Sequence, residues 1–280
     1  MTVPTELPNI EKVTDSLGEL WQEFQKMLQN KNTEKQKENS DLATGFLNCA
    51  KDDVEATKLL YEKRLFSLSV YHLQQAVEKT TKACALLLSI VSKEELIEIK
   101  HKSPLTFIKF LKKSWAIKYI DLIKMLNPEI KTNVDDVEKI INEKQDELAR
   151  MSKTVIRSFL TSIEKIRVIL QTQMYPRIVI FLAFFDLLKP LLRERTENFK
   201  KSFDEIFRSG MVTSFISLYL LSVITYPHYA FTRYPDGGIK PSDYYSGRLE
   251  IVECVNDILS EVEICINALE QDYGLKGGHE

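Results

Sequence analysis

Residues 66–91 read FSLSVYHLQQAVEKTTKACALLLSIV. Within them Phe66, Val70, Leu73, Val77, Thr80, Cys84, Leu87 and Leu88 recur at three- and four-residue steps, which draws one stripe along an α-helix. Tyr71, Gln75, Glu78 and Lys82 follow at steps of four, three and four on the opposite side. The pattern predicts a helix with one face in a core and a polar face turned away from it.

The same period continues in both directions. Leu47, Ala50, Val54, Thr57 and Leu60 form a second stripe upstream. Further back, Ile10, Val13, Leu17, Leu20, Trp21, Phe24, Met27 and Leu28 predict an amphipathic helix between Leu7 and Leu28. The stretch between these two patterns, NKNTEKQKENS over residues 30–40, has nothing apolar to bury and reads as a linker or an exposed helix end. A boundary near residue 40 follows. Downstream, Pro104 opens a short helix through Leu111, with Ser103 in place to cap it.

From Val134 through Ile141, Leu148, Val155, Ile163 and Leu170 the spacing stays near 3.6 without proline or glycine. A straight helix of that extent would be about 50 Å long. It should project, fold into a long hairpin, or break where Lys144 and Gln145 interrupt the stripe. The windows 178–192 and 211–226 are the most apolar, yet charged residues or Pro190 interrupt the first and Ser/Thr positions the second. Both fall short of the ~20 uncharged residues a bilayer needs, so core helices are expected and no membrane. Phe199, Phe203, Ile206 and Phe207 predict another amphipathic helix stopped by Gly210, and Leu249 through Leu269 a long closing helix from Pro241 to Asp272. No segment alternates with period two. The fold class is all-α.

Composition narrows the function classes. With 38 basic and 40 acidic residues the net charge is −2, which excludes a globally basic nucleic-acid binder and leaves room for a local patch. Nine glycines and nine prolines are few for a β-sandwich. Four cysteines cannot make a disulfide scaffold, and Cys49, Cys84, Cys254 and Cys265 sit in apolar stripes where packing is expected. Glu6, Glu11, Asp15 and Glu19 interrupt the first twenty residues, so no secretory signal is read and the expected location is cytoplasmic. His72, His101, His228 and His279 are too scattered to suggest a metal set, and no cofactor is expected. Residues 93–124 carry eight lysines against four acids, and residues 243–280 nine acids against two basic groups. That asymmetry predicts head-to-tail contacts within or between subunits, or a modest basic patch.

No GxxxxGK[ST], GxGxxG, HExxH, GxSxG or CxxC motif occurs. The informative elements are Gln75-x-x-Glu78-Lys79-x-x-Lys82-Ala83 and the turn Arg233-Tyr234-Pro235-Asp236, followed by Tyr244 and the closing helix. Together they resemble the HEPN family, small helical domains found beside minimal nucleotidyltransferases and in prokaryotic defence systems. His101-Lys102-Ser103-Pro104-Leu105 stands where that family has a histidine-aspartate-leucine element opening its next helix. The resemblance implies an up-and-down bundle of four or five helices, often a homodimer, that binds nucleotide or RNA and in many members cleaves RNA. The organisation it suggests is an N-terminal helix and linker at 1–40, a discontinuous HEPN-like bundle at 41–114 and 211–272, a helical insertion at 115–210 and a disordered tail at 273–280.

Ribonuclease members place a histidine four to six residues beyond an arginine at the start of the last long helix. Here Gly238, Ile239 and Lys240 occupy those distances from Arg233, so the proton shuttle that histidine supplies near neutral pH is missing from the motif. A module without catalysis is therefore expected. Its candidate ligand residues are Tyr71, Gln75, Glu78, Lys79, Lys82, Arg233 and Asp236: a ring for stacking, an amide to read a base edge, an ammonium and a guanidinium for phosphate. The plainer alternative is a solvated face with an i,i+4 Glu78–Lys82 pair, and an Arg233 that ties the bundle ends together or pairs with Asp236.

Three functions stay open. One is a module binding a nucleotide, an RNA end or a nucleotidyltransferase partner. Another is a divergent metal-independent endoribonuclease, of the toxin–antitoxin or defence kind, in which Arg233 works with Tyr244 or Lys240. The last is a structural oligomerisation protein that uses its insertion.

Overall fold

The computed structural model describes residues 34–112, 139, 143, 148–168, 210–235 and 238–274. The helices expected at 7–28, 178–192 and 199–207 lie outside them, as do the Lys144–Gln145 interruption and Asp236. The described residues form helices with no β-strand among them.

Helix α1 (Glu34–Glu62) and α2 (Phe66–Leu87) form an antiparallel hairpin, as the Ser69 Oγ bond to the Thr57 carbonyl at 3.0 Å shows. The polar stretch 34–40 is thus helical, the second of the two readings open to it. No glycine or proline occurs between Gly45 and Pro104, yet the chain turns three times there. It does so by giving Arg64 (φ 57°), Ser89 (φ 53°) and Lys100 (φ 53°) a positive φ. After the first two, the next amide reaches back five residues, Leu65 N to Leu60 O at 2.9 Å and Ile90 N to Ala85 O at 2.8 Å. This is the bonding of a glycine-type helix stop, made by residues whose Cβ raises its cost by about 1–2 kcal/mol each.

Helix α3 (Lys93–Ile99) starts on a reciprocal cap between Ser92 and Glu95, a Ser-x-x-Glu signal present in the sequence but outside the apolar stripes. Helix α4 (Pro104–Leu111) begins at the expected proline, but the Ser103 hydroxyl does not cap it. Ser103 Oγ and Thr106 Oγ1 are buried with no hydrogen-bond partner among the described residues. The long stripe beginning at Val134 is broken at residues 150–152. There Ser152 Oγ accepts from Val155 N at 3.3 Å, a local cap that competes with helix continuation, and α5 (Lys153–Val168) restarts.

Helix α6 (Gly210–Thr225) is the core helix expected from its apolar run and packs on α2. Its hydroxyls stay inside by bonding locally or across, Thr225 to the Leu221 carbonyl at 2.9 Å and Ser222 with Thr81 at 3.2 Å. A one-turn helix, α7 (His228–Phe231), follows Pro227. The single closing helix is corrected to three pieces: α8 (Pro241–Tyr244), α9 (Glu250–Glu253) and α10 (Val255–Tyr273). The chain breaks around Gly247, where an added Cβ would lie 3.1 Å from the Phe66 ring, and again at Cys254. Tyr273 is not tail: its hydroxyl donates to the Leu87 carbonyl at 2.9 Å and so satisfies the end of α2. Three cysteines are buried as expected, whereas Cys49 is exposed.

The central element is α2. Leu73, Ala76, Val77, Thr80, Ala83 and Ala85 are each fully buried, with α1, α6 and α10 packed around the helix. The acidic C-terminal region meets α1 and α5. Lys58 is 2.9 Å from Glu263, Lys51 pairs with Glu270, Arg167 with Glu261 and Lys153 with Glu253. No described helix is long and apolar enough to cross a membrane.

His228 makes the fold pH-sensitive. Its Nδ1 lies 2.8 Å from the Tyr245 hydroxyl, both side chains are buried, and burial pushes the histidine from 6.5 down to about 4. An unfolded chain takes up the proton near pH 6.5, while the native one resists until about 4. Stability from this residue is therefore complete above pH 6.5 and falls towards pH 4, by up to about 3 kcal/mol. Urea unfolding at pH 7 and pH 4.5 should show a smaller acid loss for His228→Gln than for the native chain. Equal losses would assign the acid sensitivity to other groups.

Candidate functional site

The polar face of α2 does not point to water. Glu78 is 2% exposed and Gln75 9%, and α6 and α7 pack on this helix. A buried carboxylate must be hydrogen-bonded and paired. Glu78 Oε2 accepts from Gln74 Nε2 at 3.0 Å and Gln75 Nε2 at 3.5 Å, and Oε1 receives Lys82 Nζ at 2.7 Å. The i,i+4 pair of the plainer reading exists, but inside the bundle.

The same carboxylate also holds His101. The histidine lies just past α3, where Lys100 (φ 53°) turns the chain, and its Nδ1 sits 3.2 and 3.3 Å from the two Glu78 oxygens. Its ring stacks on Tyr229 of α7, with centroids 4.5 Å apart and planes 19° from parallel. Its side chain is 45% exposed, and Nε2 has no protein partner among the described residues. Carboxylate contact at Nδ1 favours the tautomer whose Nε2 lone pair faces outward.

Arg233 completes the cluster. It is one helical turn beyond Tyr229, and its guanidinium carbon lies 5.0 Å from the Tyr229 ring and 5.1 Å from the Tyr71 ring. Nη2 approaches the Tyr71 hydroxyl at 3.4 Å. No carboxylate pairs with it among the described residues, and it lies exposed at the surface.

The fold thus gathers five of the expected residues: Tyr71, Gln75, Glu78, Lys82 and Arg233. Lys79 does not join them. It is turned towards α1, where it pairs with Asp53, a buried acid that also meets His72 Nδ1 at 2.8 Å. Tyr244 is held elsewhere, stacked on Phe231 at 6.2 Å, and Lys240 is an exposed residue at the start of α8. Gln74, His101 and Tyr229 are not among the site residues expected from the sequence. The histidine's signal was the His101–Leu105 element. Tyr229 and Arg233 stand at i,i+4, which one helical turn brings together. Among the described residues no group of His, Cys, Asp and Glu is placed to hold a metal ion.

Residues 43–104 match the profile of the HEPN domain family. The match contains Tyr71, Glu78, Lys82 and His101 and ends before Tyr229 and Arg233. A protein of Methanocaldococcus jannaschii named "Putative toxin MJ1304" is 32% identical over 85 residues, which are 30% of this chain and 55% of that relative. The matched stretch spans about half of the relative's length. No solved structure matches the chain. On the helix of Gln75, Glu78, Lys79 and Lys82, and on the profile that covers it, the chain carries a HEPN domain at residues 43–104.

Proposed function

We propose that the Tyr229 cluster binds RNA and cleaves its phosphodiester bonds, with His101 as the proton acceptor and Arg233 as the phosphate clamp. The observation that supports this reading is a histidine fixed by a buried carboxylate and stacked on the same ring that the Arg233 guanidinium approaches. The histidine lacking from the Arg233 turn is supplied from the end of α3, and the family match and the relative described as a toxin agree with such a module.

The chemistry needs little more. His101 Nε2 takes the proton of a ribose 2′-hydroxyl, and the 2′-oxygen attacks the adjacent phosphorus. The bond to the 5′-oxygen breaks, and that oxygen takes a proton from the imidazolium or from water. The products end in a 2′,3′-cyclic phosphate and a 5′-hydroxyl. Arg233 offers two parallel N–H donors to the non-bridging oxygens, whose charge grows in the transition state. Tyr71 gives a ring on which a neighbouring base can stack.

End-labelled single-stranded RNA incubated with the purified full chain in EDTA should yield fragments with cyclic phosphate ends. Arg233→Ala should slow this by roughly a hundredfold or more, the scale of losing one charge-stabilising donor. RNA bound but left intact at stoichiometric protein would make the domain a binding module only. RNA neither bound nor cut would remove the reading altogether.

A further inference from the structure

A second place on the molecule collects cationic groups and has no part in the Tyr229 cluster. Where α1 turns into α2, the loop after α8 comes up beside it and encloses an open cleft of about 1080 Å³. Lys58, Tyr61, Arg64 and Phe66 line one side, and Gly247 and Arg248 line the other. Gly247 allows the approach, since a Cβ there would press on the Phe66 ring at 3.1 Å. Arg64 and Arg248, far apart in sequence, are brought to one cavity in this way.

Two features of these arginines are independent. Neither has an ion-pair partner among the described residues, whereas Lys58 beside them is taken up by Glu55 and Glu263, each at 2.9 Å. Arg64 also occupies the left-handed position that closes α1, where glycine would sit without strain. Glu62 at the same rim cancels one positive charge, and the two forks still leave an excess.

We propose that this cleft is a phosphate-binding site, formed by the Arg64 and Arg248 guanidiniums, for nucleotides or for the backbone of RNA. Planar guanidinium forks suit phosphate oxygens better than a halide or a lone carboxylate. The proposal stands apart from cleavage at His101, since it needs only binding.

The test is isothermal titration of the full chain at low salt with ADP, and separately with a short RNA in the His101→Gln background to keep it intact. Arg64→Gly and Arg248→Gln should each weaken at least one probe tenfold or more. Loss with ADP identifies a nucleotide site, and loss with RNA alone identifies a backbone site. Arg64→Gly should also leave the melting temperature unchanged or raise it, which separates lost binding from lost folding. The proposal fails if neither probe binds the unaltered protein. It also fails if both probes bind the variants as tightly, or if binding depends on Arg233 alone.

Discussion

His101→Gln should cleave RNA about 10²–10⁴ times more slowly than the unaltered chain at neutral pH, the range for loss of a positioned proton acceptor. Glutamine keeps the approximate reach of the imidazole and a donor for Glu78, but it cannot accept and return a proton. The effect belongs in kcat, because the proton moves only in the transition state. Affinity for an oligonucleotide with 2′-deoxy substitution at the cleavage position should hardly change, since stacking on Tyr71 and the Arg233 contact remain. The fold should survive as well. His101 gives Glu78 one of several contacts and is 45% exposed, so the stability cost is that of a single hydrogen bond, about 0.5–1.5 kcal/mol. Cleavage by His101→Gln at the native rate would assign the chemistry to another group.

The site could be read from the sequence where its residues share one helix, and not where the fold supplies them from elsewhere. Tyr71, Gln75, Glu78 and Lys82 recur with the helical period, so their common face was visible without coordinates. The period says which residues are neighbours on α2; it does not say what lies against them. Hence a face read as solvated is covered, and Glu78 is buried. Lys79 belongs to the same motif yet faces α1, because Asp53 holds it there. His101 is hidden for a related reason. It precedes Arg233 by more than a hundred residues, so no local spacing joins them, and the two meet only in space at the Tyr229 ring.

Similar logic separates the elements that were foreseen from those that were not. α2 and α6 have long apolar runs that packing alone can hold, and both form as expected. The closing helix breaks at Gly247 and Cys254 because Gly247 must fit beside Phe66, a long-range contact that no local pattern encodes. The two left-handed turns at Arg64 and Ser89 are equally silent in sequence, since glycine usually marks such stops.

Lys82→Met should lower the unfolding free energy by about 3–5 kcal/mol, the cost of leaving a buried carboxylate without its cation. The Glu78 side chain is 3% exposed and that of Lys82 12%, so water cannot replace the ammonium at Oε1. Gln74, Gln75 and His101 Nδ1 still donate, but amides and a neutral imidazole bring no charge. Lys58→Met is the matching control. Its carboxylate partners are 67% and 42% exposed, and losing those pairs should cost less than about 1 kcal/mol. The double variant Glu78→Leu, Lys82→Met removes both charges and should recover most of the loss, since a buried ion pair and a well-packed apolar pair are often close in stability. Its RNA cleavage should nevertheless stay low, because His101 would then have no carboxylate to fix its tautomer. Urea unfolding and the cleavage assay on the same three proteins therefore read separate properties of one buried group. A Lys82→Met chain as stable as Lys58→Met would mean that Glu78 is not charged or not buried, and the orientation argued for His101 would fall with it.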